Sequence, residues 1–110
     1  MENIDKKQLL NDIKEYIKKV SERIEEVINT IRTNSDLNDL PDLLEGLTYC
    51  INGLNLMNIE NVNISIEDLK ENISEILDGM ENQDFNLIAD ILEYEIIEKI
   101  EDLNEILKNS

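Results

Sequence analysis

The sequence predicts an all-α fold, arranged as an antiparallel up-down-up-down four-helix bundle. Three observations predict it. Apolar residues recur at alternating steps of three and four through most of the 110 residues. One proline and three glycines are too few for a turn-rich β fold. The rhythm breaks around 34–38, 58–64 and 82–84, which divides the chain into four amphipathic segments. Length alone points to one domain, 1–110, large enough to bury roughly two-thirds of its unfolded surface.

Helix 1 is expected over about 5–33, with Asn3 or Asp5 as its cap. Leu10, Ile13, Ile17, Val20, Ile24, Val27 and Ile31 keep one apolar stripe, and Lys14, Glu15, Lys18, Glu22 and Glu25 fall on the other side. Helix 2, about 39–57, opens with Asp39-Leu40-Pro41; proline in a first turn lacks only an N–H that would be unpaired anyway. Its stripe is Leu40, Leu44, Leu47, Ile51 and Leu54. Gly46, Cys50 and Gly53 form a second line of small residues that lets another helix come close, at about 0.5–1 kcal/mol for each interior glycine. Helix 3, about 66–81, is expected to start from a Ser65 cap with Ile64 stapled onto Leu69. Its stripe is Ile66, Leu69, Ile73, Ile76 and Met80, and Gly79 and Asn82 mark its end.

Helix 4, about 85–108, begins inside the stretch NQDFNLIADILE, residues 82–93. There Asn82, Asp84, Asn86, Asp90 and Glu93 occupy positions 1, 3, 5, 9 and 12, close to the ligand spacing of a calcium loop. A helix start explains them better. Asp84 is a good N-cap, and the stripe Phe85, Ala89, Leu92, Ile96, Ile100, Leu103 and Leu107 runs straight through. The sixth position, where a calcium loop turns sharply on glycine, is Leu87. Leu87, Ile91 and Tyr94 lie on a different side from that stripe, so the first half of helix 4 is apolar nearly all round. Either helix 4 is the most enclosed element, or these three residues are a partner-binding surface.

The segment LDGMENQDFNLIADILEYEI, residues 77–96, resembles the C-terminal signature of a family of small all-helical proteins from low-GC Gram-positive bacteria, a family of unknown function. The resemblance implies a helical fold and a bacterial cytoplasmic setting, and it transfers no activity and no site residues.

Charge narrows the function classes. The 26 acids and 10 bases leave a net charge of −16. Residues 1–23 hold six bases against five acids, so almost all the excess lies beyond them. Such a surface repels phosphate backbones and anionic lipid, and direct nucleic-acid binding is not expected. Lys6, Lys7, Lys14 and Lys18 are expected beside Glu98, Glu101 and Glu105 at the open end of the bundle. Histidine is absent, which removes the commonest general base and excludes a histidine-bearing di-iron bundle. Cys50 is alone and reads as a small core residue. No run approaches the ~20 apolar residues of a membrane span, and the first residues lack a signal-peptide stretch, so a cytoplasmic protein is expected.

Two acidic pairs are the best enzymatic option. Glu22 with Glu25, and Glu75 with Asp78, carry the residue types of the magnesium-holding pairs in helical nucleotide pyrophosphohydrolases, which the chain resembles in size and class. Their separation is longer than that pattern, and both pairs flank core positions. No catalytic, cofactor-binding or metal-ligating set is therefore assigned, and no cofactor is expected. The expected function is a non-enzymatic protein–protein interaction module: an adaptor, a chaperone-like protein or an inhibitor-like protein. Its candidate surface is Leu87, Ile91 and Tyr94, facing a basic or apolar protein partner or a second copy through helix 4. The alternatives are an acidic nucleic-acid mimic or the magnesium-dependent enzyme.

Overall fold

The computed structural model describes residues 6–57, 59 and 62–108, with the Lys6 side chain outside that description. Among these residues there are four helical rods and no strand. They are α1 (Lys6–Asn34), α2 (Leu40–Met57), α3 (Asn63–Glu81) and a fourth rod over residues 85–108. The fourth rod consists of α4 (Phe85–Asp90), a π-helical turn (Ile91–Ile96) and α5 (Ile97–Lys108), joined without a break because Ile91 and Ile97 keep right-handed helical dihedrals. The expected caps Asn3 and Asp5 lie outside the described residues, as does part of the expected connector over 58–64.

The apolar stripes seal one another as their periodicity requires. Every stripe residue of α2 is buried, as are Ile13, Ile17, Val20, Ile24, Val27 and Ile31 of α1. Each buried Leu or Ile contributes about 1.5–3 kcal/mol, and the continuous core they form extends through Val62 to Leu107. α1 packs along α2 and along the whole fourth rod; α3 packs along the fourth rod and more lightly on α2; α1 and α3 do not touch among the described residues. The partners reveal direction. A Cβ on Gly53 would meet Ile13, and one on Gly46 would meet Tyr16 and Val20. Gly79 faces Ile88 in the same way, Asn72 bonds to Glu95, and Arg32 pairs with Asp90. In each pair one number rises as the other falls or joins the end of one helix to the start of another, which is compatible with the up-down-up-down order. The molecule measures 45 × 25 × 22 Å. Its long dimension is set by α1, whose 29 residues span about 43 Å.

Gly46 and Gly53 of the small-residue line make internal contacts against α1, and Cys50 between them is buried. The Cβ position of Gly53 lies 2.5 Å from Ile13 Cδ1, and that of Gly46 lies 3.2 Å from the Tyr16 ring. The Tyr16 and Tyr49 rings meet over this seam with centroids 5.0 Å apart. Between α1 and α2 the chain reverses at Ser35, whose φ of 51° takes it out of the helix. The Asn38 N–H then donates to Asp36 Oδ1 at 2.8 Å, a local turn that replaces helical bonding.

Two expectations for helix 3 need correction. The helix starts at Asn63, three residues early, and Ser65 is not its cap: Val62 precedes the helix and makes no side-chain cap bond. Val62 is fully buried and the Ile66 N–H donates to its carbonyl at 2.9 Å. Burial of this valine recruits the chain into helix before the serine is reached. Ser65 therefore sits on the inner face, and Ile64, 76% exposed, points away from Leu69 instead of stapling onto it. The inner face is also rotated: Asn72 is buried where Ile73 was expected, and Ile73 is half-buried.

The turn into the fourth rod follows the sequence closely. The Asp84 carboxylate accepts from the Leu87 N–H at 3.2 Å, an N-cap. Gln83 adopts φ 54°, and the Asp84 N–H donates to the Gly79 carbonyl at 2.8 Å, closing α3. The Asn82 amide donates to the Asp78 carbonyl. Asn82 and Asp84 are thus committed to helix ends rather than to a calcium ion.

The π turn was not expected, and the spacing explains it. Ile88, Leu92, Ile96 and Ile100 are all buried and stand at three consecutive steps of four. In an α-helix each such step overshoots a turn by about 40°, so the last residue would drift by about 120°. One extra residue wound into a wide turn takes back about 100° and keeps all four against the core.

Gly79→Ala is expected to lower unfolding free energy by about 1–2 kcal/mol despite the higher helix propensity of alanine, because its Cβ would stand 2.9 Å from Ile88 Cγ1 on a stiff, fully buried side chain. Gly46→Ala meets only the half-exposed Tyr16 ring and Val20 at ordinary distance, and is expected to stay within about 0.5 kcal/mol or gain stability. Urea titration of the two variants checks both.

Candidate functional site: the two faces of the π turn

The π turn presents chemistry on two sides. On the outer side stand Tyr94, within the turn, and Leu87, in α4 just before it, 64% and 42% exposed. Ile91, named with them from the sequence, is 2% exposed and belongs to the core. The reason is the wide turn, which brings Ile91 and Leu92 inward together. The expected three-residue strip is therefore two exposed residues on either side of a buried one.

Beside them, Arg32 from the last turn of α1 reaches across. Its Nη2 lies 2.9 Å from Asp90 Oδ1 and 3.7 Å from Glu93 Oε2. The hydrogen bond to Asp90 holds the guanidinium above its ordinary pKa. The Glu93 carboxylate next to Tyr94, as hydrogen-bond partner and as charge, raises the phenol in the same direction. Arg32 thus makes ion pairs that join two rods, whereas Lys70–Glu67 and Lys108–Glu105 lie within single helices. Both pairs of Arg32 are open to solvent, so their contribution is one of orientation more than strength.

On the inner side, the turn carries Glu95 to α3. Asn72 Nδ2 donates to Glu95 Oε1 at 3.1 Å and to Glu75 Oε1 at 3.4 Å. Asn72 is 5% exposed, and its Oδ1 has no hydrogen-bond partner among the described residues. Glu95 and Lys99, one helical turn apart, both border this cleft, but no ion pair joins them among the described residues: Glu95 is turned toward Asn72. The signal for Asn72 was present in the sequence as a polar residue three after Leu69 and four before Ile76.

Other candidates are not brought together. Glu22 and Glu25 stand exposed on α1, Glu75 and Asp78 on α3, and those helices do not touch. Among the described residues no three acidic or thiol groups converge to hold a metal ion. Lys14 and Lys18 do lie beside the end of α5, around a cleft shared with Asn104 and Lys108. They form no ion pair with Glu98, Glu101 or Glu105 there; Glu105 pairs with Lys108, one turn away at 3.7 Å. Cys50 is buried and unpaired. No helix of the described residues is long and apolar enough to cross a membrane.

Fold and surface together define an all-α four-helix bundle with an acidic exterior and a tethered, partly apolar turn in its last helix. Residues 8–106 match the family described as a domain of unknown function (DUF8042), and the chain belongs to that family. No curated protein and no solved structure matches it.

Asn72→Leu is expected to raise stability by about 1 kcal/mol, since it removes a buried unpaired acceptor while leaving two exposed carboxylates to water; thermal denaturation checks it. Cys50 supplies a pH test. Burial pushes its thiol from 9.0 up to about 12. The unfolded chain therefore loses this proton first: the contribution to stability is intact below pH 9 and falls as pH rises toward 12. Alkylation at pH 8 is expected to be slower than in the urea-unfolded chain by at least about 100-fold.

Proposed function

We propose that this chain is a non-enzymatic protein-interaction module that docks a partner polypeptide on Leu87 and Tyr94. The observation that carries the reading is the exposure of Leu87, in α4, and Tyr94, in the π turn that follows, on a rod whose Asp90 and Glu93 side chains pair with Arg32 of α1. Exposed tyrosine and leucine on a rigid element suit an interface: they add contact area with little ordering entropy. π turns recur at functional positions, where they redirect side chains that a regular helix would place elsewhere. Ile91 supports the surface from beneath and does not meet the partner.

The partner is apolar at its centre and basic at its rim. A charge of −16 attracts such a surface and opposes a second copy of the same chain. A cytoplasmic adaptor, chaperone-like or inhibitor-like role fits these properties equally.

The double variant Leu87→Ser, Tyr94→Ser tests the reading. Both side chains are solvent-exposed, so its unfolding free energy is expected to stay within about 1 kcal/mol of the parent. Affinity capture from the host should retain a protein with the parent chain and with a Leu56→Ser control, and lose it with the double variant. Retention by the double variant would contradict the assignment. Sedimentation should give a monomer at micromolar concentration for parent and variants alike.

A further inference from the structure

We propose that the groove between α1 and α2 binds a free α-amino acid with an aromatic or large apolar side chain. This site goes beyond the docking surface on the fourth rod and does not depend on it. The groove holds a cavity of about 200 Å³. Val20 and Leu43, both buried, form its floor together with Gly46. The Tyr16 ring stands over Gly46, where a Cβ would lie 3.2 Å from it, and the ring is backed by Tyr49 with centroids 5.0 Å apart. Tyr16 nevertheless stays 37% exposed, so part of it remains open to a ligand. Lys19 and Arg23 border the cavity from α1 and Asp42 from α2; Glu45 joins Asp42 and Arg23 around the adjoining hollow. Gly46 opposes Tyr16 and Val20 while Gly53 opposes Ile13, so the two helices run antiparallel. Arg23, about 10 Å along α1 from Tyr16, therefore shares the Asp42 end of the groove.

The two walls carry opposite charges, yet no ion pair joins them across the groove among the described residues. A ligand that meets both walls carries a carboxylate and an ammonium a short distance apart, which is the head of an α-amino acid. The Arg23 guanidinium suits the carboxylate, because its planar fork of donors can make paired hydrogen bonds. The Asp42 carboxylate accepts from the ammonium. The apolar floor and the Tyr16 ring take the side chain, since small-molecule sites combine an apolar lining with a few polar groups that fix orientation. Ligands of one sign fit less well. An anion alone would face Asp42, Glu45 and a chain of charge −16, and a cation alone would face Lys19 and Arg23. A zwitterion has no net charge for the chain's field to oppose. The cavity is also smaller than the ~300–1,000 Å³ of sites for drug-sized molecules, which favours one amino acid over a longer ligand.

Two-dimensional NMR of the full chain tests this at constant ionic strength. The probes are phenylalanine, 3-phenylpropionate (no ammonium), phenethylamine (no carboxylate), glycine (no apolar body) and N-acetyl-phenylalanine amide (neither charge, as in a peptide). Phenylalanine is expected to give saturable shifts of the Gly46 and Val20 backbone amides. Each of the other four should bind at least tenfold more weakly. Arg23→Gln should weaken phenylalanine at least tenfold and leave phenethylamine unchanged. Asp42→Asn should weaken phenylalanine to the level of 3-phenylpropionate. Arg23 is exposed, so its variant keeps the test valid even if the change at Asp42, in the first turn of α2, disturbs that helix. Gly46→Ala, which crowds the Tyr16 ring, should weaken phenylalanine severalfold. Binding of phenethylamine, 3-phenylpropionate or the peptide analogue as tight as that of phenylalanine would overturn the proposal. So would shifts that never saturate, shifts confined to residues outside the groove, or indifference to Arg23→Gln.

Discussion

Burial of Ile88, Leu92, Ile96 and Ile100 along one line is the constraint on which the rest of this molecule depends. The fourth rod packs against α1 on one flank and α3 on the other over its whole length. It can do so only if its apolar residues stay in register with both neighbours. A regular helix would keep Ala89, Leu92, Ile96, Ile100, Leu103 and Leu107 on one face but would turn Ile91 about 100° away from Leu92. The π turn at Ile91–Ile96 absorbs the mismatch. The loss in local hydrogen-bond geometry is offset by the burial of Ile91, which contributes about 1.5–3 kcal/mol.

The surface features follow from that turn. Bringing Ile91 and Leu92 inward together leaves Tyr94 outside, next to Glu93, where Arg32 spans from the neighbouring helix. It also delivers Glu95 to Asn72 across the seam with α3. The wide turn therefore sets both the exposure of Tyr94 and the contact of Glu95 with α3. Structure and proposed function share a single cause, and the family match over residues 8–106 encloses all of it.

Much of this was legible in the residues. The α class, the extents of α1 and α2, the Asp84 cap and the closure of α3 near Gly79 all follow from periodicity and capping chemistry, which act over a few neighbouring residues. Other features depend on distant parts of the chain. Val62 starts α3 because it is buried against the core, and nothing local distinguishes it from the Ser65 cap signal. Asn72 and Ile73 are adjacent between Leu69 and Ile76, and only the packing of the fourth rod decides that the polar residue turns inward. An uninterrupted α-helix would place Ile91 outside. The run of three steps of four beginning at Ile88 was visible, and it is the pattern that a wide turn satisfies.

Deleting Tyr94 tests the central claim most directly, with urea unfolding of the shortened chain as the measurement. If the π turn houses one residue beyond a regular helix, the deletion converts residues 85–108 to α-helix and leaves Ile96, Ile100, Leu103 and Leu107 facing the core. The account predicts a cooperative transition with stability within about 2 kcal/mol of the parent. A regular helix losing a residue would instead rotate everything beyond it by about 100° and strip those four side chains from the core. Loss of the cooperative transition would contradict the account.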